Sequence, residues 1–192
     1  MKVLAKIIRI ITIPPIMAMW LLTTLFVVTP EFFGSPLFYW LAVLFLAVLP
    51  VLAYPLQPII PGFKGKGREG QRSLAMVFSV VGYLLGCLTN LFMDAPVTLW
   101  LLYLIYLISG IGIAVFNKLF HLRASGHACG IMGPVAFLLY SHIGTAFVGL
   151  ALYFAALWAS VKMKRHTFLQ FIGGAAIPVV ALFFLVLVFG LL

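Results

Sequence analysis

Val97–Phe116 reads VTLWLLYLIYLISGIGIAVF, an uninterrupted apolar run without a charge. A helix needs about 20 such residues to cross the hydrocarbon core of a bilayer. Inside that core every backbone N–H and C=O must be bonded within the spanning structure, which an α-helix achieves by itself. The stretch therefore predicts a transmembrane helix, and the runs on either side repeat the pattern. Ile7–Val28, Leu37–Tyr54 and Ser73–Met93 read as earlier spans, the first kinked at Pro14–Pro15. Gly126–Ala159 is too long for one comfortable helix. Pro134 and the Ser141-His142-Ile143-Gly144 break divide it into two short ones, and a last span is expected from His166 to Leu191. The expected fold class is all-α, a polytopic membrane bundle of about seven helices in a single integral membrane domain over residues 1–192. Six would remain if the first lay in the interface.

Composition agrees with this reading. Hydrophobic residues make up 65% of the chain and charged residues 8%, against about 45–50% and about 25% in soluble domains. Lys and Arg number 12 against three acids, for a net charge of +9. On a soluble protein that excess would suggest nucleic acid. Here the cations fill the gaps between apolar runs, so no nucleic-acid partner is expected and the bilayer itself is the counterpart. Cys87 and Cys129 lie in or beside apolar segments with no CxxC pair, which predicts neither a disulfide nor a metal framework. No small-residue cleavage pattern follows Val28, so the basic N-terminus reads as the start of a retained helix rather than a signal peptide.

Helix parity assigns sides. The N-terminus and the segments Pro61–Arg72, Asn117–Ser125 and Ser160–Arg165 are separated by two helices each and must share one face. That face carries all 12 Lys and Arg residues, while the opposite turns carry Glu31, Asp94 and His142. The positive-inside bias places the basic face, with its motif-bearing segments 61–72, 117–127 and 160–170, in the cytoplasm. A prokaryotic cell membrane is the expected location.

Ionisable groups near membrane depth are costly and mark function. His127 follows Ser125–Gly126 at one helix start, His166 follows Arg165 at another, and both open onto the basic face. Two imidazoles among many cations point to chemistry on an anion, since imidazole serves as nucleophile or general acid near neutral pH. A helix N-terminus adds free N–H groups, and Gly126 lets an anion come close to the backbone. Arg68 and Arg72 are four apart and share a face if their helix begins early, with the planar guanidinium fork suited to phosphate. His121 and His142 read as interfacial histidines. No metal or other cofactor is expected, because the basic face offers only Glu69 as a carboxylate.

These residues resemble the type 2 phosphatidic acid phosphatase superfamily of lipid phosphate phosphatases. Its three motifs are Lys-x6-Arg-Pro, Pro-Ser-Gly-His and Ser-Arg-x5-His-x3-Asp. The second is similar to Ala124-Ser125-Gly126-His127, and the third to Ala159-Ser160-x5-His166-x3-Gln170. The first is reduced to Arg72–Ser73, with Lys64 and Lys66 on either side of the expected lysine position. The likeness runs from Lys64 to Gly174, with a spacing of 39 positions from His127 to His166. Arg165-His166-Thr167-x-x-Gln170 is similar to a pattern of a prokaryotic branch.

The resemblance implies a metal-independent phosphatase acting on a phosphorylated glycerolipid or polyprenol. His166 would form a phosphohistidine and His127 would protonate the leaving alkoxide. Arg72, Ser125 and Gly126 would hold the phosphate, with Arg68, Arg123, Lys162 and Arg165 adding charge, and Gln170 would orient His166. Two departures predict reduced activity. Ser160 stands where the family has a phosphate-binding arginine, and Gln170 stands where it has an aspartate. A phosphotransferase on the same fold and a non-enzymatic lipid-binding or transport protein are the alternatives.

Overall fold

The structure, a computed structural model, describes residues 1–190, so the expected end of the last span at Leu191 lies outside the described residues. Among them the chain is all-helical: α1 (Lys2–Ile11), α2 (Pro14–Val28), a short 3-10 turn (Pro30–Phe33), α3 (Pro36–Val43), α4 (Leu49–Leu56), α5 (Gly67–Phe92), α6 (Val97–Lys118), α7 (Gly126–Tyr140), α8 (Ala146–Lys162) and α9 (Phe168–Val188). A π-helical turn, Leu44–Val48, joins α3 and α4 into one rod. Pro50 has no N–H for the carbonyl four residues back, and the rod widens just before it.

The rod Pro36–Leu56 and helices α5, α6 and α9 are each long and apolar enough to cross a membrane. Helices α1 and α2 meet at 51° and make a fifth crossing if taken together. The bend follows from Pro14–Pro15, which suit the first turn of a helix but cannot continue one that has already begun. Helices α7 and α8 are apolar but shorter, 15 and 17 residues. At 1.5 Å per residue they reach roughly 22 and 25 Å, short of a core about 30 Å thick. Together these make up the seven segments expected from the sequence.

Several helices extend past the expected boundaries, α1 beginning at Lys2 rather than Ile7 among them. Helix α5 starts at Gly67 rather than Ser73, which puts Arg68 and Arg72 on its first two turns, and α8 continues to Lys162, which makes Ser160 helical. Apolar runs measure the thickness of the lipid, whereas a helix goes on into the headgroup region until its backbone turns.

One end of the bundle gathers the start of α5, the starts of α7 and α9, and the ends of α1 and α8. At the other end Thr98 Oγ1 donates to Phe32 O at 2.7 Å, tying the turn before α3 to the start of α6. Between them lies a core built on Leu21, Leu25, Phe33, Leu102, Tyr103 and Phe137. A second cluster, Met17, Ile131, Tyr153 and Phe171, lies among α2, α7, α8 and α9, below the first end.

Candidate active site

Local chemistry builds the site at that first end. Ser125 caps α7, its Oγ accepting Ala128 N–H at 3.2 Å. Thr167 caps α9 in a reciprocal box: its Oγ1 accepts Gln170 N–H at 3.3 Å while Gln170 Oε1 accepts Thr167 N–H at 3.1 Å. The two caps are joined, because Ser125 N–H donates to the Gln170 carbonyl at 2.9 Å. Gly174 makes that junction possible. A Cβ there would collide with the carbonyl oxygen of Ser125, and it would stand 2.8 Å from its nitrogen. The starts of α7 and α9 are thus fixed against each other, and with them His127 and His166.

The end of helix α1 reaches the same place. Arg9 Nη1 donates to Ser160 Oγ at 2.8 Å. Thr12, fully buried, ends α1 and lies 2.9 Å from His127 Nε2 through its Oγ1. The same hydroxyl is 2.7 Å from Ile8 O. A carbonyl can only accept, so the hydroxyl proton points to Ile8 and the imidazole is the donor to Thr12. The Nε2–H tautomer of His127 is therefore selected, and Nδ1 carries the lone pair.

Charge concentrates here. Arg165 and Arg72 are near enough to repel Arg9, Arg9 and His166 both act on His127, and Arg72 and Arg9 act on His166. Glu69, the acid on this side, forms no ion pair with any of them. Burial first, then the Arg72 and Arg9 guanidinium groups, hold the His166 imidazole below its ordinary 6.5. The Gln170 side chain and the Arg123 backbone pull weakly the other way. Neither gives Nδ1 of His166 a hydrogen bond of normal geometry, and that atom is buried without a partner. Among the described residues no three His, Cys, Asp or Glu side chains come together as a metal-binding group.

The residues singled out from the sequence therefore divide. His127 and His166 lie near each other with Arg72 close to His166, and Arg165 lies close to Arg9. Gly126 is exposed at the mouth of α7. Ser125 is 0% exposed and its Oγ and N–H are already engaged, so it frames the helix start. Gln170 adjoins His166, but its carboxamide oxygen serves the cap. Arg123 brings its backbone to His166 from a left-handed turn (φ 51°), with its side chain exposed. Arg68 and Lys162 are exposed and make no hydrogen bond or ion pair.

Sequence reading missed two members of the site, Arg9 and Thr12. In the sequence Arg9 counts only as one of the 12 cations of the basic face. The signal available was its position one turn inside an apolar run, where a guanidinium needs a partner. Compared with the profiles of known protein families, with characterised proteins and with solved structures, the chain matches none.

Proposed function

We propose that the chain is a membrane-embedded phosphatase of lipid phosphates, working without a metal through a phosphohistidine. The observation that carries this reading is that Arg9 bears on both imidazoles and Arg72 on that of His166, with Arg165 close to Arg9, at one end of an apolar helix bundle. A phosphomonoester dianion suits such a cluster, and phosphoryl transfer depends mainly on position and charge neutralisation.

In the first step a neutral His166 nitrogen attacks phosphorus. The bond from phosphorus to the alkyl oxygen breaks, and His127, which takes up a proton at Nδ1 once the bound dianion offsets the nearby cations, gives that proton to the oxygen, releasing a lipid alcohol. In the second step water attacks the phosphohistidine and loses a proton to His127. Inorganic phosphate leaves and both histidines return to their starting states. Burial and the nearby cations favour the neutral, nucleophilic form of His166 at pH 7. The bundle keeps the lipid tail in the bilayer, with the reacting headgroup at the basic end.

A second reading is a protein that holds an anionic lipid headgroup without turning it over. The engaged carboxamide of Gln170 and the unpartnered Nδ1 of His166 favour it, because the nucleophile lacks a charged orienting group. Phosphate release from phosphatidic acid and polyprenyl phosphates, in detergent with a chelator present, separates the two. Release that disappears in both His166→Ala and His127→Ala supports the phosphatase. Stoichiometric lipid binding with no release supports the holder. Activity that needs added magnesium overturns the metal-independent mechanism.

A further inference from the structure

We propose that Arg9, carried by the N-terminal helix, is a direct ligand of the phosphate dianion, with buried Ser160 as its anchor; this rests on the phosphatase reading above. Arg9 is half-buried at the end of an amphipathic helix packed on α8. Its one hydrogen bond goes to a neutral hydroxyl, Ser160 Oγ, at 2.8 Å. A guanidinium has five N–H donors in a rigid fork. One bond fixes the plane, and the remaining donors have no protein partner among the described residues.

The surroundings give the fork its direction. Arg165 and Arg72 repel Arg9, and Arg9 in turn acts on both His127 and His166. Holding three guanidinium groups and two imidazoles together with no carboxylate among them is unfavourable for the protein alone. It becomes favourable when a doubly charged anion binds near them. Ser160 is 0% exposed, and its hydroxyl holds the cationic side chain sent from α1. The adjacent Arg165 N–H bonds the Ser160 carbonyl at 3.0 Å, so the anchor belongs to the turn that delivers His166.

Orthovanadate and inorganic phosphate, titrated into the purified full-length protein in detergent, read the ligand site without turnover. Arg9→Gln should weaken vanadate binding and lower phosphatase kcat/KM about 10²-fold, the usual loss for one preorganised donor to a developing oxyanion. Arg9→Lys should recover part of it, since a point charge replaces a fork. The exchange Arg9→Ser with Ser160→Arg, made together, should bind vanadate more tightly than Arg9→Ser alone. Thermal unfolding of each variant reports folding. If the parent hydrolyses lipid phosphates and Arg9→Gln, still folded, binds vanadate as the parent does, the role of Arg9 is overturned and the phosphatase reading stands. If the parent neither binds vanadate nor releases phosphate, both fall together. Should Arg9→Gln not fold, an Arg9→Lys protein with unchanged vanadate affinity and unchanged kcat/KM against a folded exchange variant with no recovery overturns the proposal.

Discussion

Thr12 Oγ1 and His127 Nε2, 115 residues apart in sequence, lie 2.9 Å from each other. This bond fixes the tautomer of the proposed general acid, because the threonine proton is already given to Ile8. Thr12→Val keeps the shape and removes the acceptor. The imidazole N–H is then left without its partner, which costs about 1–3 kcal/mol. A purely structural role would slow all substrates alike. A role in setting the acid should slow release of a lipid alkoxide about 10–10²-fold while sparing a substrate with a nitrophenolate leaving group. Equal losses on both substrates would reduce Thr12 to a packing residue.

On the proposed mechanism, the lowered pKa of His166 sets the acid limb of the rate. Its ring is held below 6.5 by burial and by Arg72 and Arg9, so it loses its proton more readily folded than unfolded. Phosphoryl transfer from an activated ester should therefore rise with pH through a midpoint below 6.5 and stay level above it. Stability has the same sign. The unfolded chain binds more protons in this window, so folding weakens as pH falls below the unfolded value. Arg72→Gln removes one repelling charge and should move the midpoint upward. A midpoint that begins above 6.5 in the parent counts against this account.

Gln170→Glu tests the missing charge. Glutamate suits the third position of a capping box and the positive end of α9, so the helix start should hold. Its carboxylate would add an anion beside His166, stabilise the imidazolium and shift the acid limb to higher pH. In serine proteases, neutralising the orienting carboxylate lowers the rate about 10⁴-fold. Here the gain should be smaller, roughly 10-fold, because the oxygen remains shared with Thr167 N–H. No change in rate or in midpoint would mean that Gln170 acts on the cap alone.

Much of the fold was legible in the sequence because lipid imposes a single rule on every span. The uncharged run Val97–Phe116 and the paired breaks around Ser141 sufficed for the order of helices. The pairing of His127 with His166 came from two cap-like sequences on one face. What could not be read was lateral. Arg9 and Thr12 enter the site only because Pro14–Pro15 turn α1 by 51° toward α8 and α7. Proline announces a bend but not its direction. In the same way Gln170 matched a motif position, yet Thr167 three residues earlier committed its oxygen to the helix end.

Two adjacent glycines in α9 provide a matched pair. A Cβ on Gly174 would strike the Ser125 backbone, whereas one on Gly173 would meet nothing within 4 Å. Gly174→Ala should push α9 from α7, separate the two caps and cost about 1–3 kcal/mol with a large loss of activity. Gly173→Ala should leave thermal unfolding and turnover close to those of the parent. If the two variants behave alike, the close junction of α7 and α9 is not what positions the histidines.

The distribution of charge predicts the side of the membrane on which this site opens. All 12 Lys and Arg residues belong to the end that holds the histidines or to the segments leading into it. Translocating those segments would carry many cations across the bilayer, whereas the turns at the other end carry Glu31 and Asp94. The basic end should therefore face the cytoplasm. Lys64 and Gly144 are exposed, on opposite sides by helix parity, and suit single-cysteine probes in a background with Cys87 and Cys129 replaced. In intact cells an impermeant maleimide should modify Gly144→Cys and spare Lys64→Cys until the membrane is opened. Arg9, Arg72 and Arg165 complicate the reading, since cations held for a phosphate are not free to set topology. Lys2 and Lys6 have no place in the site, so replacing both with Gln is the sharper experiment. If orientation is set by free positive charge, a mixed population should appear in the labelling. The reverse pattern, with Lys64→Cys modified in sealed cells, would place the site outside and direct it to lipids of the outer leaflet.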